Sequence, residues 1–143
     1  MKTADIKFGK YRNGLPHFAR VVLSVVVPSK APGVTFSCSG TGGFVPQGYI
    51  EEVPAEGYDD WKAGAETGVV FALSAIGQSR CRVDIQIIEG LTTDTNPTIV
   101  GYTAAKAVWA AMGVQPPAEV DEKLLELVFS SWDKPYDEIP TFA

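Results

Sequence analysis

RVDIQIIEGLTTDTNPTIVGYTAAKAVWAAMG, residues 82–113, is the stretch that decides the fold, because it predicts a strand, a polar turn and a helix in immediate succession. In the strand, Val83, Ile85 and Ile87 alternate with more polar neighbours. A period of two indicates a strand with one buried face. A polar turn follows, and the helix comes after it. The stretch therefore predicts a sheet strand and a helix that share one core.

Both ends of this helix are marked in the sequence. The Asn96 side chain can accept a hydrogen bond from a free backbone N–H, and Pro97 at the first helical position loses no hydrogen bond. Gly113 suits the left-handed conformation that ends many helices. Small apolar residues fall on one stripe between these ends, so that the helix axis can lie close to a sheet. They are Val100, Ala104, Ala107, Val108 and Ala111.

Two further strands are predicted before this stretch. Residues 18–27, FARVVLSVVV, are β-branched almost throughout, which indicates a strand that is buried on much of both faces or paired centrally. Val34–Cys38 is a second strand, and the simplest prediction is that the two pair as a hairpin. Nearer the N-terminus, Ile6 and Phe8 indicate only a short edge strand.

A helix is predicted on each side of the deciding stretch. Residues 60–76 have helical spacing, although a glycine inside a helix costs about 1 kcal/mol relative to alanine. Gly64 and Gly68 therefore indicate either close backbone contact or a shorter helix that begins near Gly68. Residues 120–128 have an apolar face that should dock on the domain. The tail 131–143 is predicted to be extended across the domain or to bind another protein.

Length, composition and charge limit the class of protein. A chain of 143 residues with 45% apolar residues fits a single domain, residues 1–143, with an ordinary core. The longest nearly uncharged apolar run, residues 21–28, is too short to span a bilayer, and we expect a cytoplasmic protein without a membrane partner. Residues 1–50 carry six basic side chains and one acidic one, whereas residues 51–143 carry six and sixteen. An anionic partner should therefore contact the N-terminal third.

Side chains suited to catalysis or metal binding are few. His17 is the only histidine, and Cys38 and Cys81 are the only cysteines. Their number and spacing do not fit a zinc site or a nucleophile with its base. No glycine-rich phosphate-binding motif is present either. We predict no catalytic residue, no metal and no cofactor. His17 is expected to be structural or exposed, and both cysteines are expected to be reduced core residues.

The most concentrated polar group lies just before the helix of the deciding stretch. One interpretation is capping and turn stabilisation, with Asp94 holding its own turn and the N-terminus of the helix. The other is a binding loop. The candidate residues are Glu89, Gly90, Thr92, Thr93, Asp94, Thr95 and Asn96.

Four segments together resemble domain IV of bacterial elongation factor G and of the related ribosomal-protection GTPases. Residues 17–28 are similar to the family strand G-Q-[YF]-G-x-V-x-[IL], and residues 42–50, GGFVPQGYI, are similar to G-G-x-[IV]-P-x-E-Y-I. Residues 68–77 resemble the G-I-x-x-A helix, and residues 83–96 resemble V-x-D-[IV] followed by V-D-S-S. In the second segment the motif positions Gly42, Gly43, Pro46 and Tyr49 are taken as structural.

The resemblance implies an α+β fold of the ribosomal protein S5 domain 2-like superfamily. It has a four-stranded mixed sheet with two helices packed on one face and a left-handed βαβ crossover. The resemblance covers residues 10–113, and residues 114–143 add a C-terminal helix and an extended tail. Residues 51–62 are an insertion relative to the family. The loop at Gly90-Leu91-Thr92 is shorter than the family's and lacks the histidine near its tip.

Three functions are compatible with these observations. The first is a non-catalytic protein-interaction or structural module, which the acidic composition favours. The second is a translation-related protein that binds the ribosome or a structured RNA through the Glu89–Asn96 loop, although that loop has no basic residue to contact phosphates. The third is a small-molecule-binding or catalytic protein, for which the fold alone gives no evidence. DNA is not an expected partner, and another protein could bind the C-terminal tail.

Overall fold

Within residues 1–43 and 50–142, which the computed structural model describes, the chain forms five β-strands and three α-helices. In chain order these are β1 (Lys2–Arg12), β2 (Leu15–Val26), β3 (Gly33–Phe36), β4 (Glu51–Glu52), α1 (Asp59–Ala75), β5 (Arg82–Gly90), α2 (Pro97–Met112) and α3 (Ala118–Phe129). A short 3₁₀ turn at Ser131–Asp133 follows α3. Among the described helices, none combines the length and hydrophobicity that a bilayer span requires.

The sheet has the order β1-β2-β5-β3 and is mixed, as expected. β2 is antiparallel to both β1 and β5, whereas β3 runs parallel to β5. The predicted hairpin between the second and third strands is therefore wrong, because β5 lies between them. The four predicted strands are joined by a fifth, since Glu51 and Glu52 of β4 pair with the end of β5. Two residues are too few to produce an alternating pattern in the sequence.

The edge strand β1 is much longer than the sequence indicates. It pairs with β2 over its whole length, from Lys2 opposite Val25 to Arg12 opposite Leu15. Asn13 and Gly14 join the two strands with φ angles of 53° and 77°, as a tight hairpin turn of the primed type requires. Polar side chains interrupt the alternating pattern that would have indicated this strand in the sequence. They lie on an exposed edge, where charge is favoured.

A bulge in β5 changes which residues reach the core. Val22 pairs with Ile87 but Leu23 pairs with Ile85, so that Gln86 is an extra residue on β5. Beyond the bulge the core-facing positions of β5 change from odd-numbered to even-numbered residues. Ile88 is fully buried, whereas Ile87 is only partly buried and lies outside the core. The prediction that Ile87 shares the core is therefore wrong.

The two central helices cross at a contact between glycines. α1 is continuous through Gly64 and Gly68, so the alternative of a shorter helix is wrong. A Cβ atom on Gly64 would overlap the carbonyl of Pro97, and one on Gly68 would overlap the carbonyl of Gly101. A Cβ on Gly101 would in turn lie 2.7 Å from the carbonyl oxygen of Gly64. The predicted close backbone contact is confirmed, and it lets both helices share one hydrophobic core with the sheet.

The C-terminal segment packs on the domain as the sequence predicts. Leu124 and Val128 of α3 are buried. The end of α3 is fixed to the β1–β2 hairpin, where the Arg12 guanidinium lies 4.6 Å from the centre of the Phe129 ring and the Trp132 Nε1 donates to the Pro16 carbonyl at 2.9 Å. The tail then runs to Phe142, which is buried against the helices and is 3% exposed.

His17 and the two cysteines lie in the interior. His17 is 1% exposed, and its ring meets the ring of Phe129 edge-on at 5.3 Å. Neither of its ring nitrogens has a hydrogen-bond partner within the described residues. Both cysteines are free and buried, as predicted, and burial raises the pKa of each thiol. Within the described part of the chain these three side chains do not come together as a set of metal ligands.

Replacing Gly68 by alanine tests the helix crossing. We expect Gly68→Ala to lower the free energy of unfolding by about 1–3 kcal/mol, because the new methyl group overlaps a backbone carbonyl. Alanine is otherwise about 1 kcal/mol better than glycine inside a helix, so a crossing without close contact would gain stability. Chemical denaturation measures the difference. Glu66→Ala, at an exposed position of the same helix, is the control and should change little.

Alanine substitutions on either side of the bulge test the register of β5. Ile85→Ala and Ile88→Ala should each cost about 2–5 kcal/mol of unfolding free energy, because both side chains are fully buried. Ile87→Ala should cost less than about 1 kcal/mol. Denaturation with urea compares the three variants directly. A larger loss for Ile87 than for Ile88 would contradict the bulge.

Candidate functional site

The predicted binding loop follows β5, and its position is set by hydrogen bonds to β2. The backbone N–H of Phe18 donates to the Asp94 carbonyl at 2.8 Å. The Thr95 hydroxyl donates to the Phe18 carbonyl at 2.6 Å and accepts from the Leu91 N–H at 2.8 Å. Gly90 is buried at the base of the loop, where a Cβ would lie 2.6 Å from the Thr95 hydroxyl oxygen. The base of the loop is therefore part of the packed domain.

The helix after the loop is capped by Asn96, as predicted. Asn96 Oδ1 accepts from the Ile99 N–H at 2.9 Å, and its Nδ2 donates to the Ser131 hydroxyl at 2.9 Å. Asn96 thus connects the start of α2 to the turn after α3. The prediction for Asp94 is only partly confirmed. The hydrogen bond to its carboxylate comes from the Thr93 hydroxyl at 2.7 Å, so it stabilises the turn and does not cap the helix.

Glu89 belongs to β5 and forms an ion pair on the sheet. The guanidinium of Arg20 bonds Glu89 at 3.0 Å on one side and both oxygens of Asp5 at 2.9 Å on the other. The hydrogen bond from Arg20 lowers the pKa of Asp5, and the two carboxylates raise the pKa of Arg20. The predicted candidate Glu89 is thereby held by β1 and β2 and is not available at the tip of the loop.

Glu51 of β4 holds the tip of the loop, and the sequence does not indicate this role. Its Oε2 accepts from the Thr92 N–H at 2.8 Å and from the Thr92 hydroxyl. Its Oε1 accepts from the Tyr58 hydroxyl at 2.8 Å. The pKa of Tyr58 is raised to about 12, mainly because the hydroxyl is buried and secondly because of this hydrogen bond. A partner 41 residues away in the chain leaves no local pattern that could have identified it.

These contacts divide the seven candidate residues into two groups. Gly90, Thr95 and Asn96 are buried, and Glu89 is held in its ion pair. Thr92 and Thr93 are exposed, and Asp94 is half-buried. The exposed surface of the loop is therefore small and carries hydroxyl groups and one carboxylate.

The strand before the loop carries a further carboxylate, Asp84, that lies elsewhere. Asp84, near the start of β5, accepts from the Thr35 hydroxyl at 2.8 Å and from the Ser37 hydroxyl at 2.6 Å. Asp94 lies beyond the opposite end of the same strand, so the two carboxylates do not form one site. In residues 1–43 and 50–142 no three metal-ligating side chains cluster.

The motif that begins at Gly42 is only partly described by the structure. Gly42 has a φ of 76°, and its N–H donates to the Glu52 carbonyl at 2.8 Å, which fits the structural role expected of it. Gly43 lies close to the Tyr58 hydroxyl, which a Cβ on Gly43 would meet at 3.9 Å. Pro46 and Tyr49 lie outside the described residues.

Comparison with known proteins adds one kind of information, the fold. No family model matches the chain, and no curated protein matches it. Fifteen chains of solved structures match, among them a crystallised protein from Thermus thermophilus with a TM-score of 0.58 and 15% sequence identity. The similarity covers 91% of this chain and 21% of that protein. At this identity the likeness shows a shared fold and nothing about activity.

A pair of substitutions tests which side chain caps α2. Asn96→Ala should lower the free energy of unfolding by about 0.5–2 kcal/mol, because it removes the cap of α2 and the bond to Ser131. Asp94→Ala is the matched control from the same turn and should change stability by less than about 0.5 kcal/mol. Thermal or chemical denaturation compares them. A larger effect of Asp94→Ala would restore the original prediction that Asp94 caps the helix.

Proposed function

We propose that this chain is a non-catalytic protein-interaction or structural module of the elongation factor G domain IV type, and that it acts in the cytoplasm. On this proposal its tip loop, Glu89–Asn96, does not contact RNA. The observation that carries the proposal is the use of the loop's polar groups within the domain itself. Glu51 binds Thr92, Arg20 binds Glu89, and Thr95 binds the backbone of β2. A loop whose donors and acceptors are already paired has few left for a nucleic acid.

The charge of the tip supports the same proposal. RNA binding draws much of its affinity from Lys and Arg side chains that neutralise phosphates. The loop itself contains no basic residue, and its exposed part presents Asp94, which repels phosphate. Arg20 is a cation that contacts the loop, through Glu89, and its charge is neutralised by Asp5 and Glu89.

A second candidate function is ribosome or RNA binding through a different surface, the edge strand β1. Lys7 lies 6.0 Å from the centre of the Phe18 ring on the sheet face that the helices leave open, and Tyr11 is 77% exposed. Lys10 adds a second exposed positive charge to the same strand, whereas Arg12 is paired with Glu126 at 3.2 Å. Aromatic rings beside cations are the side chains that stack on bases and contact phosphates.

Co-sedimentation with ribosomes in low and moderate salt tests both candidates. The wild-type chain should stay in the supernatant, and Asp94→Ala should behave in the same way. The comparison also includes Lys7→Gln/Lys10→Gln, which removes two exposed charges from β1. Binding that weakens with salt is the sign of phosphate contacts.

The variants separate the possible results. Salt-sensitive sedimentation that Asp94→Ala alters, with an unchanged circular dichroism spectrum, would overturn the proposal and assign RNA binding to the tip. Sedimentation that only the Lys7/Lys10 variant abolishes would overturn it in favour of the edge strand. Absence of sedimentation in all three supports the interaction module.

A further inference from the structure

Three parts of the chain meet at a cleft of about 440 Å³ beside the tip loop. The start of α1 contributes Tyr58 and Trp61, whose ring centres are 5.1 Å apart and whose planes are inclined at 54°. The loop after β5 contributes Thr92 and Thr95, and the C-terminal tail contributes Tyr136. Tyr136 is 75% exposed, so its ring is available at the mouth of the cleft. The cleft is therefore lined by three aromatic residues of different exposure, since Tyr58 is half-buried and Trp61 is 9% exposed.

The charged groups that line this cleft are all negative. Asp59 and Asp60, in the first turn of α1, both line it and are both exposed. Within the part of the chain that the structure describes, neither forms an ion pair with Lys or Arg. Carboxylates in a first turn are also favoured by the helix dipole, and core packing accounts for Trp61, but neither accounts for the exposed ring of Tyr136 beside them.

Negative charge combined with aromatic rings selects an organic cation. An ammonium group is attracted to the faces of Trp and Tyr rings, and this attraction adds to the Coulomb attraction of nearby carboxylates. The aromatic side chains can contact an alkyl chain, and Thr92 also lines the cleft. An anionic ligand such as a phosphate would be repelled by Asp59 and Asp60.

We propose that this cleft binds an alkylammonium group, supplied by a lysine or trimethyllysine side chain of a partner protein. The proposal rests on the role as an interaction module and names the chemistry of the partner. Lysine carries its charge at the end of a four-carbon stem, so it can enter the cleft while its backbone stays outside. Methylation keeps the charge and enlarges the group that contacts the rings.

Titration of the full chain with short capped peptides, followed by nuclear magnetic resonance, tests the proposal. The peptides carry trimethyllysine, lysine or norleucine at one position, and norleucine keeps the apolar stem without the charge. The indole N–H of Trp61 should shift with the first two peptides. Trp109 and Trp132 serve as internal references, because their indole N–H groups are bonded to the carbonyls of Ala72 and Pro16.

Two double variants with the same change of net charge provide the control. Asp59→Asn/Asp60→Asn should weaken binding by about tenfold, the loss expected when two nearby carboxylates are removed at partial screening. Glu119→Gln/Glu122→Gln, at exposed positions near the start of α3, should leave the affinity within about twofold. Equal weakening by both variants would reduce the effect to general electrostatics and overturn the site.

Other results of the titration also decide whether the proposal stands. Equal shifts with the norleucine peptide, or no shift with any peptide at millimolar concentration, would overturn the proposal. Choline binding as tightly as the trimethyllysine peptide would overturn a partner's lysine as the source while keeping the ammonium chemistry. Ribosome co-sedimentation reports on the function and this titration reports on the cleft, so failure of one is distinguishable from failure of the other.

Discussion

The rest of the structure depends on the contact between α1 and α2, where glycine backbone meets glycine backbone. Gly68 lies against the Gly101 carbonyl, and Gly64 lies against that of Pro97. Side chains at these positions would separate the helix axes and with them the core residues that both helices bury on the sheet. Because Pro97 is the first residue of α2, the same contact fixes the start of that helix, and hence the loop before it, against the middle of α1.

β5 is the second point of organisation, because it pairs with three strands. β2 occupies one edge, whereas β3 and β4 share the other. The alternation in the sequence was sufficient to predict this strand and its burial as far as Ile85. It could not reveal the bulge at Gln86, because the extra residue is defined only by the pairing with Val22 and Leu23. For a related reason the sequence indicates too short a β1 and no β4. Both strands are stabilised by the strands they pair with and not by their own composition.

The candidate site likewise depends on some contacts that are local in the sequence and on others that are distant. The cap of α2 could be predicted from Asn96 and Pro97 because both act within one turn of their own position. The bonds from Glu51 to Thr92 and from Arg20 to Glu89 join residues 41 and 69 positions apart. No periodicity or spacing encodes such pairs. Sequence reasoning therefore located the loop but could not show that most of its polar groups are satisfied within the domain.

This pairing bears on the proposed function because it ties the loop to the rest of the domain by hydrogen bonds. A flexible loop would lose conformational entropy on binding, whereas Thr92 and Thr95 are already held by Glu51 and by β2. Exposed lysines of β1 and the acidic first turn of α1 give one domain two surfaces of opposite charge.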